Sequence, residues 1–175
     1  MAARRVCLLL VIAAAALETG CGSGSGSSVG PGAKIGTMKL AKGTADDADL
    51  KFFDRCDPVI ANPGDYTRSC RIPRVSRLFV GYGDFEPTRK AINLDSKQSK
   101  WDLWVDGHRV DLPAFGTSDR TLSAFPAAGG KDVILREWRV ILVDIAPGEH
   151  TVRYRNRHAS RGTTDATWTF TVAKN

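Results

Sequence analysis

Histidine is scarce in this chain, three among 175 residues, and neither Ser-x-x-Lys nor His-Glu-x-x-His occurs. Two common local signatures of serine and metallohydrolases are therefore missing. His108 falls at a turn, His150 opens a strand and His158 begins a loop beside arginines, positions that suit surface histidines better than a catalytic base. A hydrolase would have to assemble its site from distant parts of the chain, because a triad is recognised by geometry. Cysteine is sparse too: there are four, with no Cys-x-x-Cys spacing and no nearby histidine, which argues against a redox or metal site. Long apolar runs are short of what a membrane span needs. Val6 to Leu17 is an uncharged run of 12 residues, against the about 20 that cross a bilayer comfortably. No convincing long helix follows it. Ala45-Asp46-Asp47-Ala48-Asp49 could start a helical turn, and its carboxylates could hold calcium, but EF-hand spacing and a closing glutamate are absent, so a solvated acidic loop is the better reading. No enzyme activity, cofactor or metal is expected.

What the chain does contain is strand pattern. Trp101 to Leu112 has two apolar-alternating runs around Asp106-Gly107, a pair suited to a type I′ turn with positive φ at both central residues. Trp101, Leu103, Val105, Val110 and Leu112 are expected on one face. Met38 to Leu40 suits a short strand, and Val75 to Phe85 a central one with a bend at Gly81-Tyr82-Gly83. Pro87 to Lys100 reads as a polar surface connection, and 113–130, with two prolines and three glycines, as a long functional loop plugged by Phe115 and Phe125. Val133 to Ile145 reads as one long β-branched strand ended by Pro147-Gly148. The clearest alternation is the closing pair. Val152 and Tyr154 face inward with Trp168, Phe170 and Val172, while Arg153, Arg155 and Arg157 face outward opposite Thr167, Thr169 and Thr171. About seven strands at short spacing predict an all-β, antiparallel sandwich.

The N-terminus has export features: Arg4 and Arg5 form a basic region before the apolar run. The run leads to Thr19-Gly20-Cys21 and then to Gly/Ser-rich sequence. This resembles the lipobox of bacterial lipoproteins, which implies cleavage before Cys21 and lipidation of that residue, with Glu18 standing where the family usually has leucine. The alternative is a secreted protein with Cys21 free or paired. The organisation expected is a signal peptide over 1–20, a flexible tether over 21–36 and a single sandwich domain over 37–175. Removing residues 1–20 takes two of the 25 basic and one of the 19 acidic residues, leaving a formal charge of +5. Cys56 and Cys70 remain as a pair in an exported chain, and a disulfide between them would close a loop of roughly 15 residues, worth about 3 kcal/mol. The ending Ile145-Ala146-Pro147-Gly148-Glu149-His150-Thr151-Val152-Arg153-Tyr154 with its closing strand resembles the last hairpin of immunoglobulin-like domains in bacterial surface proteins. That resemblance implies an architecture and no particular function.

Two features suggest recognition. Arg153, Arg155 and Arg157 at period two put three guanidinium groups on one strand face, where they could grip a phosphate or carboxylate polymer; equally, they could be solvated or pair with Glu137 or neighbouring aspartates. Trp104 lies opposite Trp101 by strand parity, so it is either exposed for stacking on a sugar or partner, or covered by a second buried face. The expectation is a non-catalytic, lipid-anchored, extracytoplasmic envelope module that binds an anionic polymer or glycan. A module docking on another envelope protein is the alternative, and a hydrolase with a noncontiguous site comes third. Export disfavours nucleic acid as partner.

Overall fold

The computed structural model describes residues 27–59 and 63–174. The signal peptide expected over 1–20 and the lipidation expected at Cys21 lie outside the described residues. Alternating apolar residues build most of the strands. In chain order the elements are β1 (Lys34–Ile35), β2 (Met38–Lys42), β3 (Leu50–Lys51), β4 (Gly64–Ile72), β5 (Arg77–Phe79), β6 (Gly83–Glu86), α1 (Arg89–Gln98), β7 (Ser99–Val105), β8 (His108–Val110), α2 (Leu112–Phe115), β9 (Thr117–Phe125), β10 (Lys131–Trp138), β11 (Val140–Val143), β12 (Gly148–His158) and β13 (Gly162–Val172). Short 3₁₀ turns sit at Ala45–Asp47, Phe52–Asp54 and Pro126–Ala128.

The strands form three sheets, ordered β1-β2-β11-β5-β3, β6-β10-β9 and β4-β13-β12-β7-β8. This is an all-β sandwich, with two parallel exceptions to its antiparallel pairing: β4 with β13, and β3 with β5. The closing hairpin has the inward face expected of its alternation, Val152, Tyr154, Trp168, Phe170 and Val172 all being buried. They share one apolar core with Leu103 and Val105 of β7 and with Leu40, Leu78, Val80, Val140 and Leu142 of the facing sheet. Trp168 packs edge-on against Phe52, Phe53 and Tyr82. Its indole N–H donates to the carbonyl of Asp57 at 2.9 Å, so the polar end of the largest core side chain is satisfied. The Cys56–Cys70 disulfide ties the Phe52–Asp54 turn to β4.

Asp106 and Gly107 take φ of 46° and 77° at the β7–β8 turn, as the hairpin requires. Leu112 is not on that hairpin; it opens α2, buried beside Phe115. Four other expectations need correction. Residues 29–36, read as tether, pack on the domain: Val29 N–H donates to the Arg109 carbonyl, its own carbonyl accepts from Asp111 N–H, and Ile35 of β1 is buried. Pro87 to Lys100 contains α1, begun by Thr88, whose hydroxyl accepts the Ala91 N–H at 3.1 Å, and held by buried Ile92. The 113–130 segment is α2 followed by the nine-residue β9.

Val133 to Ile145 is two strands. At Arg139 the chain leaves the β6-β10-β9 sheet for the β11 position, the Arg139 N–H donating to the Gly116 carbonyl. The Val75–Phe85 run makes the matching crossing between β5 and β6. There Gly83 is required, because a Cβ would run into the carbonyl of Arg136.

Candidate functional site

The outward face of β12 gathers all four sequence candidates. Register puts Arg153 beside Thr167 on one side and Trp104 on the other, and Arg155 beside Asp165 and Asp102. The threonine row is shifted from expectation: Thr163 and Asp165, not Thr169 and Thr171, stand opposite Arg157 and Arg155, because the short turn at 159–161 sets the register of β12 against β13. The guanidinium carbons of Arg153 and Arg155 lie 5.0 and 5.6 Å from the Trp104 ring centroid, within cation–π range.

These arginines are held, not loose. Asp165 takes the Nε and Nη2 groups of both Arg153 and Arg155 at 2.6–2.7 Å. Asp102 takes Arg109 at 2.5 Å and also Arg157. Hydrogen bonding from Arg153 holds the Asp165 carboxyl below its ordinary range, with Arg155 adding to it against the opposing cost of burial. Glu137 is not a partner of this face; it pairs with Arg120 at 2.9 Å. Four guanidiniums therefore meet two carboxylates, and Asp65 of β4 acts on Arg153 from nearby. The arginine side chains stay between a third and about half exposed.

A second feature was not legible in the sequence. A cavity of about 640 Å³ lies between the β6-β10-β9 sheet and the inward faces of β12, β13 and β7. Phe53, Tyr82, Trp101, Leu122, Leu135 and Tyr154 give it mostly apolar walls. One end is polar. Asp84 accepts the Trp101 indole N–H at 2.9 Å and the Asn156 amide at 3.4 Å, and Arg161 bridges Asp84, Glu86 and Asp95. Burial pushes the carboxyls of Asp84 and Glu86 above their ordinary range, and Asp95 pushes the same way. Elsewhere on the wall, burial raises the Glu137 carboxyl in spite of Arg120.

Two histidines are not surface residues. His150 bridges Asp106 at 2.7 Å and the Ala146 carbonyl at 2.9 Å. His158 is buried, with Nε2 3.0 Å from Asp95 and Nδ1 3.3 Å from the Ser160 hydroxyl. The Ser–His–Asp order is that of a hydrolytic triad, but Nδ1 already accepts the backbone N–H groups of Ser160 and Arg161 at 3.2 and 3.1 Å. That leaves no lone pair for a serine proton, and Asp84, Glu86 and Asp95 would repel a developing oxyanion. His158 caps the β12–β13 turn. A Gly-x-Ser-x-Gly spacing also occurs, at Gly26 to Gly30; its Ser28 is exposed, ahead of the Val29 bridge to β8, with none of the strand-to-helix setting a nucleophile elbow needs. Among the described residues no cluster of metal-ligating side chains forms, and no helix is long and apolar enough to cross a membrane.

No protein-family model matches the chain, and no curated protein does. Among solved structures, a chain of "Structure of PbICP-C in complex with falcipain-2" superposes with a TM-score of 0.34 and 11% identity, over 71% of this chain and 98% of that one. A likeness of that size carries no argument about partner or activity.

Proposed function

We propose that this protein is a non-catalytic, extracytoplasmic envelope module, lipid-anchored at Cys21, that recognises an anionic polymer or glycan with the outward face of β12 and β7. The supporting observation is the Arg153–Trp104–Arg155 stack on the outward face of β12 and β7. Asp165 and Asp102 fix the guanidiniums in place before any ligand arrives, which lowers the entropy cost of gripping an acidic polymer. Trp104, stacked with these arginines, adds an aromatic side chain to the same recognition face. The basic excess of the chain as a whole acts in the same direction.

The test is binding of an acidic polysaccharide, followed as salt is raised. Affinity is expected to fall steeply with salt, because exposed charge attraction is screened within about 8 Å at physiological ionic strength. Arg155→Glu and Trp104→Ala are each expected to weaken binding severalfold while leaving the fold intact. Binding that ignores both salt and these changes would instead favour the alternative reading, docking on another envelope protein, which crosslinking in the envelope would recover.

A further inference from the structure

The cavity between the sheets is separate from the arginine face and differs from it in chemistry. Its volume of about 640 Å³ falls in the roughly 300–1,000 Å³ range of small-molecule sites. Sheet faces that meet fully leave no such space, since interiors pack as densely as organic crystals. Phe53, Tyr82, Phe85, Trp101, Leu122 and Leu135 all line it, and each is only partly buried. Elsewhere among the described residues, Leu94 is the one large apolar side chain that is exposed. Uncovered apolar surface is thus gathered in one concave place, where an apolar molecule would remove it from water.

The polar side chains of the wall are already spent on the protein itself. The Tyr82 hydroxyl donates to the Val59 carbonyl and the Tyr154 hydroxyl to that of Val80. The Trp101 indole N–H goes to Asp84, and so does the Asn156 amide, whose Oδ1 is closed off inside the protein. Charge is balanced as well. Around the lining Lys51, Arg120, Lys131 and Arg161 are matched by Asp54, Asp84, Glu86 and Glu137, one carboxylate for each cation. Arg161 bridges Asp84 and Glu86, and Arg120 holds Glu137, on which Lys51 also acts. Asp54 and Lys131 lie exposed. An ion carried into the interior would have to break one of the inner pairs or go without a partner, and either is costly. Apolar cavities of this kind stay dry and take apolar guests.

We propose that this cavity binds an uncharged, largely apolar molecule, packed among Phe53, Trp101, Leu122 and Leu135. Recognition is by shape and dispersion, with the Tyr82 and Trp101 rings among the contacts. Selection follows from what the walls withhold: no unpaired ion among the buried side chains is left to receive an ammonium or a carboxylate.

Two pairs of fluorescent probes, the members of each differing by one charged group, test this on the purified full chain. N-phenyl-1-naphthylamine is the uncharged counterpart of 8-anilinonaphthalene-1-sulfonate, and diphenylhexatriene that of its trimethylammonium derivative. Both uncharged probes are expected to bind, each at least about tenfold more tightly than its charged analogue, the difference reflecting an ion desolvated without a partner. Sulfonate held by the outward arginine face is recognised by its loss in Arg155→Glu, so the comparison is repeated in that variant. Leu135→Trp, or Leu122→Trp should the first fail to fold by near-ultraviolet circular dichroism, is expected to abolish binding of both uncharged probes. Absence of binding by the uncharged probes, charged analogues that match them, or binding that survives a folded cavity-filling variant overturns the proposal. The probe comparison needs no variant and decides the matter even if both fillings misfold. A failure here leaves the arginine face untouched, because the two sites share no residue.

Discussion

At the scale of single residues, the largest energies belong to Trp168 and the smallest margins to the carboxyls. Trp168 is fully buried and touches three other aromatic rings. Trp168→Ala is expected to cost about 3–5 kcal/mol, as for other large-to-small core changes, read as a lowered urea midpoint at unchanged slope. Asp165 gives a pH signature. Its carboxyl titrates lower in the folded protein than its ordinary value of 3.8, so its stabilisation is present above that value and is lost as the pH falls through the folded one. Asp165→Asn should therefore be less stable than the parent at neutral pH, the gap closing on acidification; a gap that does not move with pH would refute the pairing as its source. Asp84 and Glu137, raised by burial, act with the opposite sign. Their contribution is greatest below the ordinary carboxyl range and declines as the pH rises through their folded values. Asp84 feels Glu86 on its own strand, Asp95 of α1, Arg161 of the β12–β13 turn and the Trp101 N–H of β7.

At the scale of elements, the β7–β8 turn carries more than its own hairpin. Asp106 accepts the Thr151 N–H at 2.7 Å and faces His150, so it staples the turn to β12. Asp106→Ala loses those contacts and places alanine at positive φ; a loss of about 1–3 kcal/mol is expected, against less for Asp106→Asn, which tolerates that backbone and keeps one acceptor. Equal losses by chemical denaturation would mean the carboxylate contacts contribute nothing. This hairpin and the β12–β13 pair were readable because Asp-Gly chemistry and strict alternation are local signals. The helix α1 was not: its sequence, Arg-Lys-Ala-Ile-Asn-Leu-Asp-Ser-Lys-Gln, commits only Ile92 to the core, and Leu94 is exposed. Its order comes from the Thr88 cap and from Asn93, Asp95 and Ser96 meeting residues more than 35 positions away. β9 was hidden for a related reason. Polar and apolar residues mix on it because one face is a cavity wall and the other is open. The arginine stripe was legible as a face, and pairing with neighbouring aspartates was foreseen, but which aspartates was not, since Asp102 and Asp165 are brought to it by register alone.

For the molecule as a whole, the disulfide is the principal covalent restraint. Cys56 and Cys70 lie 14 positions apart, a loop for which chain entropy assigns about 3 kcal/mol. The Cys56→Ala/Cys70→Ala variant should show that loss, and reducing the parent should reproduce it; a reduced parent as stable as the oxidised one would remove the staple from the account. Stability and open space also compete at this scale. The sheets that bury Trp168 against Phe52 are the same ones that part farther along β12, where the cavity opens between Tyr154 and Leu135.

The edge strand β4 imposes an order of events. Gly64 stands beside Thr164 and Ile72 beside Val172, so its partner is reached only after about a hundred further residues. Pairing over that distance must first overcome the entropy of closing the intervening chain, which makes such contacts slow to form. A polypeptide that leaves a ribosome or a translocation pore amino end first holds β4 unpaired until its final strand has emerged. Among the described strands, the pairing of β4 with β13 is therefore one of the last that the chain can make.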